Sequence, residues 1–515
     1  MNTAWLNKEV LCIIDTRQIQ KFIFNSNSMA ESIGAEKLLQ HMSTEAFAWA
    51  AEHIPEPMKR EEYMLPAETD ENPVNPLSNP RIKARVIFSS AGNMMILFRT
   101  GMLCRDMVRK MSRYYLENGY SLEIASASVV KTEDIEEDLR QLFYSLAISK
   151  NHFPGAHPLE TLPVARMEKK TGEPVAYVDP VSGEEFSRTG LIRRQAYERV
   201  KKENSTKGVH TEKGWDGREY FAVAHIDGNN MGMTIAGILK RAKSYADNIR
   251  IRNRVEHNIA EGIHGVFQRA MEDMKKAFGF SADEMEHKFR VVAMGGDDMN
   301  IIASPSVVFY FIERYMAHLK NTYLWDEEDV RIGMSACAGV AIVEKNTAFL
   351  DAFEYAEECC ASAKKVAKSK ENCPNGKIGN WIDFRVVYPN SGQDGDEERE
   401  KVYTTQDGIQ LMLRPYCFDD NAIGTPRSYR AFRERAAAFH ALNLTDEMTS
   451  RIMYAYDLGK GDVRLMPGIM EKAGYPVTEA CGEPLIRFAD GTYAVWYDAL
   501  ELREFFTAGE RKTEE

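Results

Sequence analysis

The chain has 515 residues, 44% of them hydrophobic, and a formal net charge of −12 at pH 7. This length allows three or four domains with ordinary cores. The acidic balance argues against a surface that coats nucleic acid over its whole area, although it leaves a local groove open. The eight cysteines have no paired spacing, which predicts reduced thiols in the cytoplasm. The sequence shows no signal peptide and no membrane-length apolar run, so no membrane partner is expected.

The first predicted elements are a strand, a helix, two strands, a helix and a strand. They lie at residues 10–15, 29–51, 84–88, 94–98, 102–117 and 122–130. This β-α-β-β-α-β order is typical of a ferredoxin-like domain. We interpret the proline- and glutamate-rich residues 54–80 as a surface insertion into that domain.

The same order of elements recurs later in the chain, which is the pattern of an internal repeat. The second series lies at residues 222–227, 238–278, 289–294, 299–303, 305–323 and 330–343, and a helix at 348–370 and a strand at 381–388 follow it. The sequence therefore predicts an α+β protein with two ferredoxin-like domains.

One turn of the second series carries two acids, Gly295-Gly296-Asp297-Asp298. The glycines permit a tight turn that holds both carboxylates at the tip of a hairpin. Rigidly placed adjacent acids repel each other unless a positive group joins them, and divalent cations fill this role in nucleotidyl transfer. A solvated surface turn is the alternative interpretation, because Gly and Asp are ordinary turn residues.

A second acidic motif favours the metal interpretation. An apolar strand ends at Asp227, and Gly228-Asn229-Asn230-Met231-Gly232 leads toward the next helix. Two ions about 3.5–4 Å apart must be held from two neighbouring strands. We therefore predict that Asp227, Asp297 and Asp298 bind two Mg²⁺ or Mn²⁺ ions. Adjacent strand residues point to opposite faces, so one of the two hairpin acids is expected to support the metal ligands rather than bind the metal directly.

The first series differs from the second at the corresponding turn. It has Ser90-Ala91-Gly92-Asn93 there, with no carboxylate. The prediction is that the first domain is a degenerate copy and that the second carries the chemistry.

Taken in order, these motifs resemble the large palm-polymerase subunit of type III CRISPR effector complexes, the Csm and Cmr large subunit. The matching pieces lie at residues 14–24, 93, 227–232, 295–298 and 363–364, so the resemblance spans residues 10 to about 390. It implies two palm (GGDEF-like) domains and synthesis of cyclic oligoadenylates from ATP in antiviral defence. It also implies partner subunits and guide and target RNA.

The resemblance also assigns roles to individual residues. Asp227, Asp297 and Asp298 would be catalytic and would bind the metals. The nucleotide would be held by Gly228, Asn229, Gly295, Gly296, Lys364 and Asn93. By residue type alone, Lys364 belongs to a lysine-rich run that is typical of a solvated helix face. His225 lies two residues before Asp227, on the same side of the strand, but a buried structural histidine is the preferred interpretation.

Three departures from the family matter for function. No histidine is followed by aspartate, so an HD nuclease domain is not expected, and the zinc ribbon between the palms has no cysteine counterpart, so no structural zinc is predicted. Many relatives have an acid where this chain has Asn229. An amide oxygen can bind Mg²⁺ but brings no charge to offset the ion, so a catalytically inactive scaffold stays among the open functions.

The predicted domains follow from these motifs and from the polar stretches between them. They are a first palm at residues 1–150, a linker at 151–217, a second palm at 218–390 and, after acidic residues 390–400, a mainly helical domain at 401–515. Three functions stay open: a cyclic oligoadenylate synthase, a diguanylate-cyclase-like enzyme, and an inactive scaffold that binds nucleotide or RNA.

Overall fold

The computed structural model describes residues 5–26, 28–65, 77, 79–90, 92–151, 165–203, 220–327, 330–373, 378–387, 403–419, 425, 427–488, 491–503 and 505. The chain divides into two compact units. The first is formed by Met1–Thr211, Asn230–Glu261 and Ala348–Leu350, and the second by Glu212–Asn229, Gly262–Thr347 and Asp351–Glu515. Across the described residues, no helix is both long and apolar enough to cross a bilayer.

The first unit is built on one sheet covered by helices. Its strands are β1 (Val10–Arg17), β2 (Tyr63–Met64), β3 (Ala84–Ser90), β4 (Asn93–Phe98) and β5 (Glu123–Val130), in the sheet order β2-β3-β4-β1-β5. Its helices are α1 (Ile19–Phe24), α2 (Met29–His53), α3 (Gly101–Asn118), α4 (Ile135–Asn151) and α5 (Arg188–Glu203). The α+β class and the repeated palm order are confirmed.

Strand β1 shows why this segment folds as a central strand. Both faces of it are covered, and the residues from Val10 to Ile14 are all buried. On one face, Leu11 and Ile13 join a cluster with Leu97 and Leu142. Each such side chain stabilises the fold by roughly 1.5–3 kcal/mol when it leaves water. The continuous apolar run is therefore the signature of a strand buried on both sides.

Of the linker predicted at residues 151–217, the structure describes residue 151 and residues 165–203. It forms the hairpin β6 (Val175–Val178) and β7 (Glu185–Ser187), followed by α5. Lys170 Nζ lies 3.2 Å from Glu31 Oε1 and also contacts Glu184. Glu31 is fully buried, and burial raises the pKa of its carboxyl, while the bonds from Ser26 and Lys170 act in the opposite direction. Through Lys170, ion pairs link this hairpin to Glu31 of α2 in the same unit.

The second unit contains the sheet of the second palm, while α6 and the first half of α7 belong to the first unit. Its strands are β8 (Tyr220–Gly228), β9 (Phe289–Gly295), β10 (Asp298–Ala303), β11 (Tyr323–Glu327), β12 (Val330–Gly333), β13 (Ala336–Glu344), β14 (Trp381–Val386), β15 (Ile409–Gln410) and β16 (Tyr416–Cys417). The main sheet has the order β16-β14-β13-β8-β10-β9, and β11 pairs with β12 separately. Helices of this part of the chain are α6 (Met231–Leu239), α7 (Tyr245–Phe278), α8 (Ala282–Lys288), α9 (Pro305–Leu319) and α10 (Phe349–Ala367).

Three sequence predictions in this region were wrong in detail. The helix predicted at 238–278 starts at Tyr245 as α7, and residues 238 and 239 end the separate helix α6. Ser244 and Asp247 cap the start of α7: the Asp247 N–H donates to Ser244 Oγ (3.2 Å), and the Lys243 N–H donates to Asp247 Oδ2 (3.0 Å). The strand predicted at 330–343 is β12 and β13, which belong to different sheets. The predicted helix at 305–323 ends at Leu319, and Tyr323 begins β11.

The C-terminal part combines helices with a small sheet. The helices are α11 (Tyr429–Ala441), α12 (Asp446–Leu458), α13 (Lys460–Lys472), α14 (Val477–Cys481) and α15 (Tyr497–Leu502). Strands β17 (Leu485–Arg487) and β18 (Thr492–Ala494) join β15 in the order β15-β18-β17. The predicted junction at 390–400 and residues 66–76 and 78 of the predicted insertion at 54–80 lie outside the described residues, and the predicted domain boundaries stay predictions.

Candidate functional site

Three strands of the second palm bring the predicted acids to one edge of the sheet. Strand β10 runs antiparallel to β8 with Met299 opposite Ile226, so the tip of the β9–β10 hairpin lies next to the end of β8 at Asp227. On the other side of β8, Cys337 of β13 is opposite Asp227. The β9–β10 turn closes with Asp298 opposite Gly295. The sheet register therefore places all three predicted acids in one neighbourhood.

Two predicted glycines have specific steric reasons to be glycine. Gly296 has φ of +63°, a left-handed conformation that side chains disfavour. A Cβ on Gly228 would overlap the carboxylate of Asp297, so the absence of a side chain lets the hairpin acid lie against the end of β8. Gly295, at the end of β9, is exposed. These glycines shape the backbone around the acids.

The carboxyl groups of the hairpin are electrostatically strained. Burial raises the pKa of Asp298 to about 6, and Asp227 and Asp297 add repulsion, whereas His225 and Lys364 oppose the rise. Burial also raises the pKa of Asp297, with a further contribution from Asp227. Acids held together in this way favour the approach of positive charge.

Lys364 provides such a charge in this structure. Its ammonium contacts Asp227 Oδ2 and lies 3.2 Å from the carbonyl oxygen of Gly228. Burial alone would lower the pKa of Lys364, but the hydrogen bond and attraction from Asp227 give a net increase. The position of Lys364 beside the acids therefore departs from the solvated-face interpretation that its lysine-rich run favours.

His225 is both buried and in contact with the acids. Its Nδ1 lies 2.8 Å from Asn300 Oδ1 and 3.3 Å from Asp298 Oδ1. The interpretation as a buried histidine agrees with the structure, and the contact with Asp298 adds a link to the site. Sequence reasoning missed Asn300. Its position two residues after Asp298 on a strand, hence on the same face, was the available signal.

The side chain of Asn229 faces the protein interior. Its Nδ2 donates to the Gly379 carbonyl at 3.0 Å and to Ser335 Oγ at 3.2 Å. A backbone carbonyl only accepts, so the atom that faces Gly379 must be the amide nitrogen. The Asn229 Oδ1 then accepts from the Cys337 thiol at 3.2 Å. Asn229 thus ties the end of β8 to the start of β13 and to residue 379.

The first palm lacks the acids but keeps a related arrangement. Asp15, near the end of β1, is opposite Asn93 in the sheet, and it pairs with Lys150 of α4. The Asn93 Oδ1 accepts from the Thr16 N–H at 3.3 Å. Asn93 therefore holds the edge of its own sheet, in the first unit.

The metal prediction can be compared with these contacts. Among the residues that the structure describes, no three His, Cys, Asp or Glu side chains surround a single point closely enough to hold an ion. Carboxylate oxygens are nevertheless the ligands that Mg²⁺ prefers, and burial and mutual repulsion raise the pKa of two of the acids. The three carboxylates fit a divalent cation in donor type and charge. In this structure Asp227 pairs with Lys364, and a bound ion would take the place of that lysine.

Comparison with known proteins places this region in a family. The sequence model described as Cas10/Cmr2, second palm domain, matches residues 220–373. No curated protein matches the chain in sequence. Two similar solved structures are a Csm1–Csm4 cassette in complex with cA4, 13% identical with a TM-score of 0.46 over 98% of this chain and 70% of that chain, and Csm1 of T. onnurineus, 12% identical with a TM-score of 0.47 over 97% and 69%.

The sheet order, the hairpin acids and the sequence match define a palm domain whose sheet lies in the second unit. Residues 220–373 match the second palm domain of the Cas10/Cmr2 family, and the predicted resemblance to the large subunit of type III CRISPR complexes is confirmed.

Proposed function

We propose that the chain is a metal-dependent nucleotidyltransferase that makes cyclic oligoadenylates from ATP within a type III CRISPR complex. The observation that carries this proposal is the placement of Asp297 and Asp298 beside Asp227 inside the matched palm domain. The choice of ATP, the partner subunits and the guide and target RNA follow from the family resemblance. No residue of the site distinguishes adenine from guanine.

The chemistry divides between the ions and the protein. Bound Mg²⁺ or Mn²⁺ would lower the pKa of the acceptor hydroxyl and neutralise charge on the leaving pyrophosphate. Asp227, Asp297 and Asp298 would hold the ions at fixed positions. Lys364, once it leaves Asp227, would pair with the triphosphate, and the lack of side chains at Gly295 and Gly296 leaves room beside the hairpin. The protein contributes mainly positioning.

One observation favours a second candidate function. Asn229 stands where many relatives have an acid, and its amide forms hydrogen bonds inside the protein. Asp227 is already paired with Lys364. A site with these contacts would also suit a scaffold that binds nucleotide or RNA without turnover. The two functions differ in whether product forms.

Product analysis tests the proposal. The purified chain, alone and with its complex and target RNA, is incubated with all four NTPs and Mn²⁺, and products are identified by mass spectrometry. We expect adenylate oligomers and pyrophosphate from the wild type and none from Asp297→Ala/Asp298→Ala. The matched control is Glu136→Ala/Glu137→Ala, which removes two adjacent acids from the first turn of α4 and should leave synthesis unchanged.

The other outcomes identify the alternatives. Cyclic di-GMP as the main product would favour a diguanylate-cyclase-like enzyme. Absence of product under every condition, with normal folding of the wild type, would contradict the proposal and favour the scaffold.

A further inference from the structure

A cleft in the C-terminal part of the second unit shares no residue with the site around Asp227. It has a volume of about 480 Å³. Its walls come from the first turns of α13, from β17 and its flanking residues, and from the start of β18. The size lies within the range of small-molecule sites, about 300–1,000 Å³.

The charged residues of this cleft are mostly basic. Lys460 and Arg464 lie one helical turn apart on α13, Arg487 ends β17, and Glu483 is the one acid among the lining residues. Lys460 donates to the Asp407 carbonyl at 3.0 Å. The side chains of Arg464 and Arg487 have no ion-pair partner within the described part of the chain.

Other arginines of the C-terminal part do have acidic partners. Arg451 pairs with Glu447 at 2.7 Å, and Arg430 pairs with Glu434 at 3.0 Å. The chain as a whole carries a net charge of −12, so an excess of positive charge around one concavity stands out. Like charges that line one cleft repel each other, and a bound anion relieves that repulsion.

The lining of the cleft is also partly apolar. Leu485, Ile486 and Phe488 line the cleft and are only partly buried. The ring of Phe488 is held edge-on by Tyr493, with centroids 5.3 Å apart. An aromatic ring offers a stacking surface for a base, and guanidinium groups bind phosphate through paired hydrogen bonds.

We propose that this cleft binds a phosphate-bearing nucleotide, with Arg464 and Arg487 on the phosphate and Phe488 against the base. The site is separate from the palm acids and does not depend on nucleotidyl transfer by them.

Photo-crosslinking tests the cleft directly. The full chain is irradiated with 8-azido-AMP, and modified peptides are mapped by mass spectrometry. We expect an adduct within residues 483–493, reduced at least about tenfold in Arg464→Glu/Arg487→Glu. The matched control, Arg430→Glu/Arg451→Glu, makes the same change of charge on exposed helices of the same region and should keep the adduct. Lys364→Met should keep it too, since that residue belongs to the palm site.

Several results would overturn the proposal. One is a wild-type protein without an adduct in this segment. Another is an adduct that survives the double charge reversal while circular dichroism shows an intact fold. A third is displacement of the probe by an acidic peptide but not by AMP, because β17 is an edge strand of its sheet and an added peptide strand would then be the occupant.

Discussion

The two palms keep the same scaffold and differ in charge at one edge. Each has an aspartate at the end of a central strand, Asp15 or Asp227, and each aspartate pairs with a lysine from a later helix, Lys150 or Lys364. The hairpin next to this pair begins its second strand with Asn93 in the first palm and Asp298 in the second. The first palm has the aspartate–lysine pair without carboxylates on its hairpin, so that pair is compatible with a stable fold without the hairpin acids.

The neutral hairpin of the first palm forms its side-chain hydrogen bond within its own sheet, whereas the acidic hairpin of the second palm needs a positively charged partner. The Asn93 amide accepts a backbone hydrogen bond from Thr16. In the second palm, burial and neighbouring acids raise the pKa of Asp298 to about 6. The ion pair near the strand end is thus common to both palms. The extra carboxylates of the second palm destabilise its folded state, which is expected if they are kept for a role in function.

The largest expected effect separates the two palms by activity. Asp227→Ala removes a carboxylate that would hold an ion, so we expect synthesis to fall about 1,000-fold or more, which corresponds to roughly 4 kcal/mol. Asn93→Ala, at the hairpin of the first palm, should cost less than about tenfold. Initial rates of pyrophosphate release measure both. Equal losses would show that the catalytic palm is wrongly assigned or that acceptor placement limits the rate.

The next effect concerns metal and nucleotide binding. ATP binding should require Mg²⁺ or Mn²⁺ and should weaken at least about tenfold in Asp297→Ala/Asp298→Ala, because the hairpin acids then no longer hold the ions. Isothermal titration calorimetry with and without metal gives both affinities. The same metal-independent affinity for wild type and variant would remove the basis for a metal site.

The two lysines should differ in the same way. Lys364→Met is expected to weaken ATP binding about tenfold through the loss of one phosphate contact, which is about 1.4 kcal/mol. Lys150→Met breaks the corresponding pair in the first palm and should change ATP affinity by less than about threefold. Calorimetry at fixed Mg²⁺ compares them. A larger loss from Lys150→Met would reverse the assignment of the two palms.

The exchange of Asn229 for aspartate should lower stability. An aspartate loses both hydrogen bonds that Nδ2 donates and faces the Gly379 carbonyl with a negative charge, at a cost of about 1–3 kcal/mol. We expect a lower Tm and no gain in synthesis. Asn230→Asp, the neighbouring change of equal charge, is the control for thermal melting. Increased synthesis in Asn229→Asp would show that a missing carboxylate, rather than packing, limits the site.

The smallest effect is a pH-dependent change in stability. The folded state raises the pKa of Asp298 to about 6, so its ionised form destabilises the fold above that pH, and the penalty disappears as the pH falls below it. Asp298→Asn should therefore raise the Tm by a few degrees at pH 8 and by less at pH 5. Asn93→Asp, the reverse exchange in the first palm, should lower the Tm at pH 8. Thermal melts of the metal-free protein that show the same shift at both pH values would contradict this cause.

Much of the architecture was predictable from local pattern. The apolar run at residues 10–15 is buried on both faces as β1, and the two hairpins fall at the turns that glycine marks. The order of elements gave the repeat and the family. The separate helix α6 and the start of α7 at Tyr245 were not predicted. The Ser244 and Asp247 caps that begin α7 lie next to an apolar helical pattern, and Ser and Asp occur inside such patterns too, so they gave no clear local signal of a new start.

The sequence by itself determined the fold class, the repeat and the residues of the two acidic motifs, because these depend on periodicity and turn chemistry along the chain. Only the tertiary structure decided what each polar side chain contacts. Lys364 is 137 residues from Asp227, and Asn229 is 150 residues from Gly379. Such contacts depend on sheet register and helix packing, which bring distant residues together by burying apolar surface rather than through any local signal around those residues.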